Sequence, residues 1–297
     1  AKSMSYSKQK IRSLTGVNVA GFTADELHHY FLSTLKQGMH GLCFSAYEEG
    51  QKPGDTLTYS QVEKRLKVLK PYVQWIRTFS CTEGNELVAK ASKGLGLKTL
   101  TGAWLSDDLE KNELEIEALI DLAQQGYVDI AAVGNEVLYR EELDEKQLLE
   151  YIGRVKKALP HLPVGYVDAY YEFENRPQLA AACDVILANC YPFWEGCPLE
   201  YSLLYMKDMY RRAQKAAPEK KVIITETGWP SKGEDFNGAH PSHENAIRYF
   251  LNTQQWAQED NLEVFYFSSF DEDWKTGDEG DVGAYWGLWD KNGNLKY

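Results

Sequence analysis

The sequence predicts an α/β fold, a single-domain (β/α)8 (TIM) barrel with an N-terminal helical extension. Three observations carry that expectation. Eight short apolar runs recur about every 31 residues between residues 41 and 270, the period of the strand–helix unit in an eight-stranded barrel. The runs are near-continuous in Val, Ile and Leu, as strands buried on both faces are. Most intervals between them show helical periodicity. A doubly wound open sheet is the alternative, but no G-x-G-x-x-G follows the first run. The 297 residues contain no linker or low-complexity segment that would split them. The expected division is 1–40 as an extension packing on the barrel and 41–297 as the barrel itself.

The extension comes first. "TADELHHYFLSTLKQG" opens with a capping box, Thr23 and Glu26, and sets Leu27, Phe31 and Leu35 in register. No long helical pattern follows the eighth run, where "GAYWGLWDKNGNLKY" reads as loop. The N-terminal helix is therefore expected to cover the gap in the helical ring between strands 8 and 1. The earlier run "TGVNVAGF" is an alternative first strand, which would renumber all the others. Strand 1 is otherwise "GLCFSAY" (41–47), and "SQVEKRLKVLK" follows with Val62, Leu66 and Leu69 on one helix face. Strands 2 and 3 are "YVQWIRTF" (72–79) and "LKTLTGAWL" (97–105).

"NELEIEALIDLAQQG" leads through Gly126 to strand 4, "YVDIAAV" (127–133). "DEKQLLEYIGRVKKALP" stops at Pro160 before strand 5, "LPVGYVDAY" (162–170). Strand 6, "CDVILANCY" (183–191), precedes the helix "SLLYMKDMYRRAQKAAP", which stops at Pro218. Strand 7, "KVIITE" (221–226), precedes "PSHENAIRYFLNTQQWAQ", with Ser242 as its N-cap. Strand 8 is "LEVFYFSSF" (262–270).

Composition narrows the function. Lys plus Arg is 32 against 44 Asp plus Glu, a net charge of −12. That field repels nucleic acid and anionic membrane surfaces. Aromatic residues make up 13%, which suits a neutral ring-shaped ligand. No stretch reaches the roughly 18 apolar residues of a membrane span. The start, "AKSMSYSKQK", carries no apolar signal core, so a signal was removed or never existed. The five cysteines show no zinc-ligand spacing and read as buried reduced thiols. His28, His29, His240 and His243 have no acidic partner at metal spacing, so no metal or other cofactor is expected.

On a barrel, chemistry collects where the carboxyl ends of the strands converge. Strand 4 ends in "VGNEV" with Glu136, and strand 7 in "IITETGWPS" with Glu226. Strands three apart in an eight-strand ring face each other across the mouth. Two carboxylates so placed can serve as proton donor and as base or nucleophile in glycoside cleavage. The spacing alone leaves plainer readings open. Glu136 could sit in the first turn of the next helix, favoured by its dipole, and Glu226 could simply pair with Lys or Arg. The tail of strand 8, "SSFDEDWK", adds Glu272 and Lys275 to the same rim, or is a solvated charged loop.

Three stretches, "VGNEV", "ITETGWPSKG" and "FSSFDEDWK…WGL", resemble glycoside hydrolase family 17, the β-1,3-glucanases. "IRTFSC" and "NCYPFW" resemble it too, and the likeness runs over residues 41–297. "FSAYEEGQ" in place of a plant-like "GVCYG" opening is closer to the microbial branch. The resemblance implies a retaining mechanism, with Glu136 as acid/base and Glu226 as nucleophile. It further implies that Asn135 bonds the 2-hydroxyl of the cleaved sugar and that Tyr191 reaches the nucleophile or ring oxygen. Glu272 and Lys275 match the family's auxiliary Glu and Lys. Residues 1–40 have no clear counterpart.

The expected substrate is β-1,3-glucan, with endo-acting hydrolysis first. Exo-acting hydrolysis, transglycosylation and a non-catalytic glucan-binding barrel are the alternatives. A monomer that is secreted or periplasmic is the corresponding expectation. Aromatic residues at strand ends are candidates for stacking on sugar faces: Tyr47, Phe79, Trp104, Tyr170, Phe193, Trp194, Trp229, Phe270, Trp274 and Trp286. Trp229 and Phe270 lead among them. Arg77, at the end of strand 2, is expected to touch substrate or to orient neighbouring carboxylates.

Overall fold

The computed structural model describes residues 16, 21–277 and 279–297. Eight parallel strands close into a barrel in chain order, β1 to β8, with β1 paired to both β2 and β8. They are β1 (Met39–Cys43), β2 (Val73–Arg77), β3 (Lys98–Ala103), β4 (Ile130–Asn135), β5 (Val164–Ala169), β6 (Ile186–Asn189), β7 (Val222–Thr227) and β8 (Val264–Tyr266). Each falls on a run expected from the sequence. Because Met39–Cys43 closes the ring against β8, the numbering is not shifted. Residues 15 and 17–20 of "TGVNVAGF" lie outside the described residues. β1 starts two residues before the expected run and ends at Cys43, so Phe44 to Tyr47 form a rim loop.

Among the described residues the helices are α1 (Ala24–Gln37), α2 (Tyr59–Leu69), α3 (Glu86–Gly94), α4 (Leu109–Gln124), α5 (Glu145–Ala158), α6 (Tyr170–Asn175), α7 (Pro177–Ala182), α8 (Leu199–Ala216) and α9 (His243–Glu259). The Thr23–Glu26 capping box forms as read, satisfying two free amides at the start of α1. Helix α1 packs between α9 and a 3₁₀ turn at Lys70–Tyr72. Its Phe31 ring stands 5.2 Å from Phe250 and 5.5 Å from Tyr297. Ser242 caps α9 by accepting from the Asn245 amide. Helix α3 and the broken pair α6–α7 carry no long periodic pattern in the sequence. Pro177 separates that pair, holding Arg176 at φ −131° and ψ 82°, outside the helical region.

At three strand ends the ladder slips register: between Ala132 and Asn135 against β5, between Ala188 and Asn189 against β7, and between Ile224 and Thr227 against β8. All three lie at the carboxyl rim. Bulges of this kind re-aim side chains, and here they fall beside Glu136, Asn189 and Glu226.

Candidate active site

Glu136 follows β4 through Gly134, whose φ of +94° no other residue adopts cheaply. Glu136 itself has φ +55°, a left-handed conformation rare for a glutamate. Its amide donates to the Val167 carbonyl at 2.8 Å and its carbonyl accepts from the Arg140 amide at 2.9 Å, which pins the kink. The side chain turns inward toward Asn189 at the end of β6. Asn189 Nδ2 donates to Glu136 Oε1 at 3.0 Å and to Glu226 Oε2 at 3.1 Å. One nitrogen touching both carboxylates keeps those two oxygens within about 6 Å of each other. The Asn189 carbonyl oxygen accepts from Thr225 Oγ1 at 2.7 Å, fixing which way the amide faces.

Glu226 and Glu136 have different surroundings. Tyr191 donates its hydroxyl to Glu226 Oε1 at 2.7 Å, and Arg77 donates Nη2 to Oε2 at 2.9 Å. The same Nη2 reaches Asn135 Oδ1 at 2.9 Å, and the guanidinium lies 4.0 Å over the Phe79 ring. Arg77 is buried, and it compensates the charge of a buried carboxylate. Among the described residues no cation pairs with Glu136, and Arg140 opposes the rise of its pKa only weakly, from a distance. Burial first, and the negative charge of Glu226 second, push the Glu136 pKa up to about 7, against the opposing Asn189 bond. One carboxyl group is anchored and charge-compensated. The other holds its proton near neutrality.

Both face a cleft of about 810 Å³ at the carboxyl mouth. Tyr47, Asn135, Tyr170, Tyr191, Glu272 and Lys275 line it as well, with Phe79, Trp104, Trp194 and Trp274 among the rings. Tyr47 accepts from Asn85 Nδ2 at 3.2 Å, and Tyr170 donates to Glu195 Oε2 at 2.9 Å. Lys275 lies 4.3 Å over the Phe267 ring, and its ion-pair partner is Glu279 at 3.6 Å. Burial pulls the Lys275 pKa down, but the charges of Glu272, Glu279 and Glu226 outweigh it and leave it raised. Burial likewise raises Glu272, with Lys275 opposing.

Trp229 and Phe270, the leading aromatic candidates, do not line the cleft. The chain turns behind the rim after β7 and carries Trp229 onto α9. There it is 1% exposed, 5.5 Å from the Tyr249 ring and 5.2 Å from Phe193. Its indole donates to the His240 carbonyl at 3.0 Å. Phe270 is tucked against Trp289, with the Arg65 guanidinium 4.3 Å over its ring. Phe193 and Trp286 are also core residues.

Three groups escaped the sequence reading. Asn189 was visible as a polar residue closing the apolar run "VILAN". Asp168, buried on β5, accepts from the Tyr166 hydroxyl, which in turn accepts from the Leu138 amide just after Glu136. Glu115 is a buried carboxylate on the inner face of α4. It accepts from Ser80 Oγ, from the Cys81 amide at 2.7 Å, from Thr82 Oγ1 at 2.9 Å and from the Trp104 amide at 3.3 Å. All five cysteines are free and buried.

Residues 41–287 match a family model described as the BtgE/BtgC glycoside hydrolase domain. A glucan 1,3-beta-glucosidase of Schizosaccharomyces pombe is 31% identical over 252 residues, covering 78% of each chain. A glucan 1,3-beta-glucosidase of Saccharomyces cerevisiae is 26% identical over 273 residues, covering 82% of this chain and 86% of its own. Among solved structures, a family 17 beta-1,3-glucanosyltransferase from Rhizomucor miehei superposes with a TM-score of 0.79 at 30% identity. That match covers 88% of this chain and 96% of the other. The eight-stranded ring, its rim and these likenesses agree: the chain belongs to the BtgE/BtgC glycoside hydrolase domain family, within glycoside hydrolase family 17.

Proposed function

We propose that this chain is a retaining enzyme cleaving β-1,3-glucan, with Glu226 as nucleophile and Glu136 as acid/base. The observation that carries it is the single Asn189 amide in contact with both carboxylates. A separation of those two oxygens within about 6 Å fits the roughly 5–5.5 Å of retaining enzymes better than the roughly 6.5–9.5 Å of an inverting pair. In the first step Glu226 attacks the anomeric carbon while the glycosidic C–O bond breaks. The departing oxygen takes the Glu136 proton. In the second, Glu136 removes a proton from water, which attacks the same carbon and releases Glu226. The β-1,3 linkage is supported by the names of the fungal relatives.

Asn135, held by Arg77, is the donor expected to meet the 2-hydroxyl. Tyr191 orients Glu226, and Tyr47, Tyr170 and the other cleft rings stack on sugar faces. The cleft is lined by rings from well-separated strand ends, Tyr47 and Trp104 as well as Tyr170 and Trp194, which supports endo action on a long chain. It also admits a sugar where the leaving group departed, so transglycosylation is a second reading, supported by the transferase relative at 30% identity. Action outside the cell is the matching proposal, supported by the large polymer that the named relatives act on. A monomer suffices, since one chain supplies every group named.

Alanine variants test the two roles. Glu226→Ala should lose activity on every substrate. Glu136→Ala should still form the glycosyl-enzyme from a nitrophenyl glycoside and then stall. Azide should rescue it to a glycosyl azide of β configuration, because azide needs no base. Azide in place of the missing nucleophile in Glu226→Ala should give the α product by a single inversion, whereas a β azide from Glu226→Ala with an α azide from Glu136→Ala would reverse the assignments. On laminarin, an early fall in mean chain length supports endo action, and products longer than the starting oligosaccharide reveal transfer.

A further inference from the structure

On the β6–β7 side, aromatic rings continue outward from the carboxylates to the surface. Tyr191, bonded to Glu226, stands 5.6 Å from Trp286; Trp286 is 5.8 Å from Trp194, and Trp194 is 5.4 Å from Phe236. Tyr191 and Trp194 line the cleft, and Trp286 is buried behind them. Phe236 lies outside the cleft lining and is 40% exposed.

A single exposed apolar side chain is ordinary on a protein surface. This one is held in place. Phe236 and Ala239 exchange both backbone hydrogen bonds at 2.9 Å, with Asn237 in the left-handed region at φ +52°. The tip of that turn rests on the chain beside Trp194. A Cβ added at Gly196 would come within 2.8 Å of the Asn237 side chain, and one at Gly238 within 2.8 Å of the Gly196 carbonyl. The far end of the turn is fixed at the His240 carbonyl, which accepts from Trp229 Nε1 at 3.0 Å and Asn245 Nδ2 at 2.8 Å. Trp229, absent from the cleft, thus anchors the loop that carries an exposed ring.

We propose that Phe236, backed by Trp194, is a sugar-binding platform outside the cleft, taking a glucosyl residue of a chain already threaded past the carboxylates. The proposal rests on the glucan-active reading above. A pyranose ring presents an apolar C–H face, and a ring already fixed in position loses little freedom when it covers one. A chain leaving the cleft along Trp194 meets Phe236 next. The platform adds reach along the polymer without adding chemistry.

The test compares wild type, Phe236→Ala and Phe236→Trp on laminari-oligosaccharides of three to eight sugars. The expected result is a deficit of Phe236→Ala in kcat/KM that grows with chain length, to about fivefold to tenfold on the longest, and that Phe236→Trp restores. A deficit equal at every length would mean that the ring only supports Trp194, and no deficit would remove the platform. Either result overturns the proposal. Titrating Glu136→Gln with the same oligosaccharides, read by tryptophan fluorescence with and without Phe236→Ala, judges the platform without turnover. If wild type cleaved none of these sugars, the functional reading would fall. A length-dependent loss of binding in that titration would still uphold the platform, and its absence would end it.

Discussion

Glu136 has to give a proton in one step and take one in the next, and its surroundings set the pH at which both are possible. Burial beside Glu226 places its pKa near 7, so kcat/KM should fall as pH rises through about 7, when the acid is lost. The same shift bears on stability. The folded chain binds a proton at Glu136 between about pH 4.5 and 7 that the unfolded chain has released, so stability declines as pH rises through that window. Glu136→Gln removes its share of the slope, while Asp168, which burial also raises to about 7, keeps its own. The Glu136→Gln variant should be more stable than wild type at pH 8 by on the order of 2 kcal/mol, and by less at pH 5, in urea unfolding at the two values. Asp168 adds negative charge near Glu136, so Asp168→Asn should move the alkaline limb of kcat/KM toward lower pH. Arg77→Met leaves a buried carboxylate without its cation. It should cost about 3–5 kcal/mol of stability, together with most of the turnover.

At the scale of elements, Glu115 joins α4 to the loop after β2 and to the end of β3 through its four donors. These segments carry cleft residues, among them Ser80 and Trp104. Glu115→Ala strands those donors and should cost about 3 kcal/mol while raising KM more than it lowers kcat, read from thermal unfolding and laminarin kinetics. Elements with their own periodicity were legible in the sequence: strand runs rich in Val and Ile, and helices closed by Gly126, Pro160 and Pro218. Helix α3 is nine residues whose buried face is made of small side chains, Val88, Ala89, Ala91 and Ser92, too short a run to stand out in the sequence. The slipped registers could not be read either, because they depend on pairing between strands about 30 residues apart. The carboxylates stood out because a charge at the end of an apolar run is conspicuous. Trp229 misled because its type suits a cleft, while its position depends on where the chain turns after Thr227.

For the whole molecule, α1 packs against α9 and the 3₁₀ turn that precedes β2. Phe31 is fully buried between Phe250 and Tyr297, and His28 Nδ1 lies 2.8 Å from the Tyr297 carbonyl oxygen. Phe31→Ala should cost about 3–5 kcal/mol and lower the melting temperature, with kcat per folded molecule retained, since the helix lies away from the mouth. The barrel was legible at this scale because its period repeats eight times. The joining of α1 to Tyr297 was not, since no periodic pattern links two residues so far apart in the sequence.

The bulge at Gly134 bears on how this barrel tolerates change in length. Deleting that one glycine would let β4 run in step with β5 and give a more regular ring. It would also advance Asn135 and Glu136 by one position each, and in a strand one position reverses the face. Such a chain should fold, by circular dichroism, and hydrolyse nothing. Loops beyond the rim can gain or lose residues and keep the chemistry, but the last residues of β4, β6 and β7 behave like a reading frame, in which a shift of one erases the message.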